Sequence, residues 1–401
     1  MEEQLKKIEK LAEKKNELID IQNYNKYYPI FKDTIDFLKT QKVLLYGGLA
    51  INELMPYHLK IYKKHALPDI DVFCTNPKKV GSNLIAYLIK KGYPLTSISE
   101  ALHENTYKIF ANGLQIADIT LVSKYAFKKL YQHSIQPKDS IRVVDPEFLR
   151  LSLHVMMSQS NDANRWSKVF QRIISFYEVF KPRMCNFKKN IKTKSNSDKI
   201  PEDLINKIYG VLKNSQYVLF GLKELKLMFE TDNVPFSDKM PIIQMFTDKT
   251  NFADVATIIQ NKIKDYKLDL SVIYEGDDFA PPHAFLYYKK TPVIGMYYLD
   301  ACITYNNYDK YRIASIHTML RFFLSVRMSS YIHLQKLADD YSCIGNMLSV
   351  LQIRINKEKK PKAVHQQFIL DCYGVQYGLI TLRRKMMARR NNLSLSSSDH
   401  I

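Results

Sequence analysis

Three aspartates in the first third of the chain carry its clearest chemical signal. Asp69 and Asp71 stand two apart in "PDIDVFCTN", and Asp118 interrupts the apolar run "GLQIADITLVS". On a strand, residues two apart share a face, so Asp69 and Asp71 would point one way while Ile70 and Val72 point the other. Like charges so placed repel unless a cation neutralises them, and Mg²⁺, which takes hard oxygen ligands, does that well. A D-x-D alone reads more often as a solvated strand end or turn. Asp118 adds a third carboxylate, the only charged residue from Leu114 to Val122. A buried carboxylate without a partner is costly, so Asp118 either pairs with one of the many lysines or joins the other two. In the second case the set has the composition of a two-metal site. One ion would activate an attacking hydroxyl and the other would hold a triphosphate and its leaving group.

These side chains need elements to position them. Upstream, "VLLYGGLAINEL" (Val43 to Leu54) reads as a short buried strand, a paired glycine and a helix that starts at once. Gly47 and Gly48 lack a Cβ, so the backbone there can take φ > 0 and approach another group closely. The helix that follows presents free N–H groups and a positive dipole end, which suit a phosphate. An ordinary tight strand–helix turn would look the same. Neither G-x-G-x-x-G nor G-x-x-x-x-G-K-[ST] occurs in the chain, so the two common phosphate-binding fingerprints are absent.

The pattern divides the chain as follows. Residues 1–40 read as a helical N-terminal segment, with Leu5, Ile8 and Leu11, then Ile30, Ile35 and Leu38, at helical spacing. A mixed α/β region with a helical extension covers 41–186, alternating strands and helices from Val43 to about Val122. Polar, charged "FKKNIKTKSNSDKI" makes 187–200 the linker candidate. A second mixed region, 201–390, has strand candidates in "YVLFGLKEL", "PIIQMFTD" and "PVIGMYYL", and 391–401 reads as a flexible tail. The fold class expected is α+β.

A chain of 401 residues, 46% of them hydrophobic, is long enough for two or three domains with a sizeable core. No apolar run reaches the roughly eighteen residues a membrane span needs, and the charged N-terminus is unlike a secretory signal. A soluble, intracellular protein is the expectation. Five cysteines without a C-x-x-C indicate neither a zinc site nor a disulfide framework. The net charge of +19 favours a polyanionic partner, and basic clusters at Arg354–Lys362 and Leu382–Arg390, including Arg383, Arg384 and Lys385, lie near the C-terminus.

Taken in order, strand–Gly-Gly–helix, D-x-D on a strand and a single Asp on a later strand resemble the DNA polymerase β-like nucleotidyltransferase superfamily. The helix with Arg165, Trp166, Lys168 and Arg172, whose basic residues share one face, narrows the resemblance. With "YGGLAIN" and "DIDVF", it is similar to the poly(A) polymerase catalytic subunits of large cytoplasmic DNA viruses, of poxvirus and giant-virus type. That resemblance implies a catalytic and metal-binding set of Asp69, Asp71 and Asp118, and nucleotide contacts from Gly47, Gly48 and Lys168. It implies two Mg²⁺ or Mn²⁺ ions and ATP as substrate. Many relatives carry Gly-Ser at the turn, so a serine contact to phosphate is not expected here.

A shift of 173 residues lays "LYGGL" over "VLFGL" and "PDIDVF" over "PIIQMF"; a further slip of four lays "LQIADITLV" over "TPVIGMYYL". Asp69, Asp71 and Asp118 then become Ile242, Gln244 and Gly295. Two nucleotidyltransferase-like domains, the second degenerate, are therefore expected. The resemblance implies a template-independent poly(A) polymerase acting in mRNA polyadenylation, which adds AMP to RNA 3′ ends in the cytoplasm of an infected cell or packaged in the virion. RNA would be its partner, held in part by Arg383, Arg384 and Lys385, with a homodimer or a small processivity subunit beside it. A uridylyltransferase-like enzyme keeps the same triad, and a non-catalytic RNA-binding processivity subunit is the alternative outside enzymes.

Overall fold

The computed structural model describes residues 2–62, 64–102, 104–182, 200–234, 236, 239–247, 252–375, 377 and 379–396. It divides the chain into two compact units, Met1–Leu149 with Tyr377–Ile401, and Arg150–Gln376.

The first unit opens with one long helix, α1 (Glu2–Lys39), which runs through Pro29. Its start leaves Leu5, Ile8 and Leu11 exposed, whereas Ile30 and Leu38 are buried. Then follow β1 (Leu44–Tyr46), α2 (Gly47–Leu54), β2 (Ile70–Cys74), α3 (Pro77–Lys90), β3 (Thr96–Glu100), β4 (Thr106–Ala111), β5 (Leu114–Leu121), α4 (Lys124–Gln132) and α5 (Pro146–Met157). The strands form one sheet in the order β1-β2-β5-β4-β3, with β2 and β5 parallel and the other neighbours antiparallel. Local chemistry sets the joints. Asn76 caps α3 by accepting the Lys79 N–H, and Pro77 occupies its first turn. The β4–β5 hairpin turns on Asn112-Gly113, both at positive φ, as a two-residue turn of this hand requires. At Gly81 α3 lies so near the sheet that a Cβ would come within 3.2 Å of Ile109.

The second unit contains α6 (Trp166–Val179), α7 (Glu202–Leu212), β6 (Val218–Leu219), α8 (Leu222–Phe229), β7 (Ile243–Thr247), α9 (Phe252–Lys262), β8 (Leu268–Leu270), β9 (His283–Tyr288), β10 (Thr291–Tyr298), β11 (Ile303–Tyr308), β12 (Tyr311–Ala314), α10 (Ile316–Val326), α11 (Ile332–Gln335), α12 (Ala338–Ile355) and β13 (Cys372–Tyr373). Its sheet runs β13-β11-β12-β6-β7-β10-β9-β8. The five strands from β6 to β8 repeat the order of the first sheet, with β7 and β10 as the parallel pair. Gln244 lies opposite Gly295 in that pair, as Asp71 lies opposite Asp118 in the first. An aromatic stack recurs too, Tyr46 on Phe73 at 3.7 Å between ring centres and Phe220 on Phe246 at 4.3 Å. The degenerate second copy expected from the 173-residue shift is thus matched in topology. At the turn the offset is one greater, because Gly221 follows Phe220 as Gly47 follows Tyr46. The last helix, α13 (Leu379–Ser396), groups with the first unit.

Three expectations change, and the chain divides into its two units after Leu149, within α5. Arg150 donates to Asn346 Oδ1 (3.1 Å) and to the Phe180 carbonyl (3.0 Å), and His154 Nδ1 lies 2.9 Å from His317 Nδ1. The end of α5 is thereby committed to the second unit. Of the linker candidate only Ile200 is among the described residues, and it is buried. The tail expected over 391–401 is helical through Ser396, and the rest lies outside the described residues. The strand expected in "YVLFGLKEL" is only Val218–Leu219, because Gly221 packs its backbone against Ile242 and Gln244 and α8 starts there. Finally, Cys302 and Cys372 form a disulfide, although no framework was expected. The β11–β13 pairing sets Ile303 against Tyr373 and brings the two Cα atoms to 5.2 Å across 70 residues, a proximity no spacing rule reveals.

Candidate active site

The site assembles at the end of β1 and the middle of β2 and β5. Leu44 and Leu45 are fully buried and fix β1 in the sheet, which places Tyr46 opposite Asp71. The next residue, Gly47, has φ +72° and begins α2. A Cβ at Gly47 would lie 3.1 Å from Asp71 Cγ and nearer still to its Oδ2. The glycine is therefore required twice, by its backbone conformation and by the carboxylate against it. Gly48 is buried in α2, whose first turn receives no side-chain cap from Tyr46. Farther along α2, Asn52 Oδ1 accepts the N–H groups of Ile61 and Tyr62 (3.1 and 3.3 Å), tying the loop that leads to Asp69 onto the helix.

Asp71 and Asp118 are direct neighbours on parallel strands. Strands lie about 4.8 Å apart, so the two side chains emerge side by side on one face. Asp69 stands just ahead of β2, which begins at Ile70, and is exposed rather than part of the strand. Asp118 has partners on the other side. Lys108, opposite it on β4, reaches Oδ2 at 3.3 Å, and Gln115 Nε2 donates to Oδ1 at 2.9 Å. Lys108 also donates to Gln115 Oε1 (2.8 Å), closing a three-membered network. Burial first and the charge of Asp71 second push the Tyr46 hydroxyl upward, and that hydroxyl lies 2.9 Å from Thr120 Oγ1.

Of the residues singled out in the sequence, the structure brings Gly47, Asp71 and Asp118 together. Asp69 is two residues away along the chain, and Lys168 belongs to the second unit, exposed on α6 beside buried Trp166. Arg383, Arg384 and Lys385 are exposed on α13, with the Lys385 ammonium 3.5 Å from the centre of the Tyr377 ring. Among the described residues, no group of three or more His, Cys, Asp or Glu side chains is gathered closely enough to hold a metal ion. The donor chemistry still suits a hard divalent cation, since two aligned carboxylates with a third two residues off supply only oxygens. Sequence reading missed Lys108, Gln115 and Tyr46. The Asn112-Gly113 turn could have found Lys108 to within one residue. Counting back from it pairs position 108 with 117, and a bulge after Ile109 moves the partner to 118.

A strand, a glycine turn, a helix and two carboxylates in register on parallel strands, on a sheet of this order, are the arrangement expected from the resemblance to nucleotidyltransferases. Residues 32–163 match the family of poly(A) polymerase catalytic subunits. The chain resembles those subunits from large DNA viruses. It is 26% identical over 302 residues to a protein of Acanthamoeba polyphaga mimivirus described as a candidate poly(A) polymerase catalytic subunit, covering 67% of this chain and 50% of that one. It is 26% identical over 140 residues to the protein of the same description in African swine fever virus (strain Badajoz 1971 Vero-adapted), covering 34% and 28%. The chain thus spans half or less of the length of these relatives. In fold it is similar to the Megavirus polyadenylate synthase, with a TM-score of 0.77, 17% identity, and 98% and 84% of the two chains covered.

Proposed function

We propose that this chain is an RNA adenylyltransferase that extends RNA 3′ ends with AMP from ATP without a template. The observation that carries the reading is the register of Asp71 against Asp118 beside the Gly47 turn, inside the segment that matches the poly(A) polymerase family. The reaction joins the RNA 3′ oxygen to the α-phosphorus of ATP and releases pyrophosphate. Asp71 and Asp118, with Asp69 contributed from the loop, are the residues that would hold divalent cations. When bound, such ions neutralise phosphate charge and make the attacking hydroxyl easier to deprotonate.

The remaining roles fall to the chain itself. Gly47 removes the side chain that would displace Asp71, and the uncapped first turn of α2 offers N–H groups to phosphate oxygens. Lys108 and Gln115 fix the orientation of the Asp118 carboxylate. Lys168 contacts the nucleotide, and Arg383, Arg384 and Lys385 hold the RNA backbone. Among the described residues no helix is long and apolar enough to cross a membrane.

The test incubates the full chain with a primer RNA, a divalent cation and each NTP separately, beside Asp71→Ala and Asp118→Ala. Elongation with ATP that both variants abolish, at unchanged melting temperature, is the expected result. Preference for UTP would move the assignment to a uridylyltransferase. Full activity in Asp118→Ala would end the carboxylate-pair reading.

A further inference from the structure

The second unit holds a cavity of about 420 Å³, between the loop at Glu275–Pro282, Leu299 at the end of β10 and one face of α10. Arg321 of α10 lines it, and this arginine is electrostatically incomplete. Among the described residues its guanidinium makes one polar contact, Nη1 to Ser158 Oγ at 3.5 Å, and no carboxylate lies within ion-pair distance. Burial pushes its pKa down to about 10, so the group stays charged at neutral pH.

The nearby polar groups are already engaged. Asp277 accepts the N–H groups of Phe279 and Ala280 on one oxygen (2.8 and 2.7 Å). On the other it accepts the Ser330 N–H and the hydroxyls of Ser329 and Ser330 (2.6, 2.8 and 2.7 Å). That carboxylate fastens the loop and is no counter-ion for Arg321. Ser325 donates its hydroxyl to the Phe279 carbonyl. Arg321 is partly buried and lines the cavity, and a guanidinium fork matches two oxygens of a phosphate or carboxylate. Phe279, Leu299 and Phe322 give the cavity an apolar wall, and exposed Glu275 stands at its rim as a free acceptor. The volume is in the range of small-ligand sites, roughly 300–1,000 Å³.

We propose that this cavity binds one nucleotide unit, its phosphate gripped by Arg321, its base against the apolar wall, and an exocyclic amino group of the base donating to Glu275. The charge pattern selects this class. One cation beside an apolar wall, with the exposed carboxylates of Glu275 and Asp278 also in the lining, disfavours a triphosphate and suits a single phosphate on a body that carries hydrogen-bond donors. The site lies in the second unit, whose sheet has lost Asp71 and Asp118, and it does not depend on the adenylyl-transfer reading.

The test uses the full chain with Asp71→Ala and Asp118→Ala, in EDTA, so that the carboxylate pair contributes no binding. Equilibrium dialysis or calorimetry compares AMP, adenosine and a short oligo(A) on this parent and on its Arg321→Met and Arg321→Lys derivatives. AMP should bind the parent and raise its melting temperature, adenosine should bind at least about tenfold more weakly, and Arg321→Met should lose the AMP effect. Oligo(A) binding through Arg321 in the absence of AMP binding would assign the phosphate to an RNA strand rather than a free mononucleotide. Arg321→Met should melt close to the parent, because the partly exposed guanidinium makes only one polar contact among the described residues. Arg321→Lys keeps the charge but loses the fork and should bind at an intermediate level. Adenosine binding as tightly as AMP, AMP binding unchanged in Arg321→Met, or no binding of any probe with a lowered melting temperature in Arg321→Met would each overturn the proposal.

Discussion

Substituting Gly47 with alanine probes the site through a single methyl group. The backbone at Gly47 has φ +72°, a left-handed conformation that costs an L-residue about 1–2 kcal/mol. For a unit of this size that strain lowers the melting temperature by about 2–4 °C per kcal/mol, hence roughly 2–8 °C. The methyl group would also stand 3.1 Å from Asp71 Cγ and 3.3 Å from its Cβ, with the carboxylate oxygen nearer still. Asp71 must therefore turn away or β2 must shift by a sizeable fraction of an ångström. Misplacing a reacting group by about 1 Å costs on the order of a hundredfold in rate. Gly47→Ala should thus reduce kcat for AMP addition about a hundredfold while the protein stays folded. The measurements are steady-state incorporation on a primer RNA and calorimetric melting of the same preparation. Activity within about threefold of the parent, together with the modest melting shift, would refute the claim that the turn serves Asp71.

Glu224 on α8 is buried against the Tyr209 hydroxyl (3.2 Å), and burial pushes its carboxyl up to about 7 from 4.5. The folded state therefore holds a proton that the unfolded chain gives up, and stability falls as pH rises from about 4.5 to 7. Glu224→Gln, which mimics the protonated form, should match the parent near pH 4 and exceed it by up to about 3 kcal/mol at pH 8; a difference independent of pH in denaturant titrations would contradict this. Gln244 is fully buried with neither amide atom bonded among the described residues, so Gln244→Met should melt at or above the parent and keep turnover within a few-fold. Loss of metal-dependent activity at unchanged melting temperature would show instead that the second sheet takes part in the chemistry. Reversing the charge of Arg383, Arg384 and Lys385 together should weaken RNA binding and flatten its salt dependence between about 50 and 200 mM, whereas an unchanged slope places the RNA elsewhere.

What the sequence made legible was local. The "VLLYGGLAINEL" turn, the isolated Asp118 and the second apolar scaffold each follow from residue type and spacing within a few positions, and each is found. Less legible was whatever depends on register or on distant packing. Lys108 meets Asp118 only because a bulge slides β4 by one residue. Cys302 and Cys372 meet only because β13 pairs with β11. The division after Leu149 follows from Arg150 and His154 finding partners in the second unit. Nothing near Arg321 in sequence marks it as unmatched, because its surroundings come from a loop some forty residues upstream and from the end of β10. Asp69 is a smaller case, since the D-x-D period is visible but the strand start at Ile70 is not.

The repeated sheet order gives this chain an internal control for its own chemistry. Positions that do the same thing in both copies are there for packing, since only one copy retains the carboxylates. The ring stack survives as Tyr46 on Phe73 and Phe220 on Phe246, which marks it as part of the scaffold even though it borders the site. Glycine survives at the turn as Gly47 and Gly221, and at Gly221 a Cβ would strike backbone atoms rather than a carboxylate. The close approach of turn and strand therefore belongs to the architecture, and the acid is what the first copy adds to it. Where Asp118 faces Lys108 across the β4–β5 pair, Gly295 faces Phe285 across β9–β10, so anion and cation change together. Two charges that vary as one unit are most simply one functional group, and a graft of the first sheet's chemistry onto the second would have to carry the lysine along with the three aspartates.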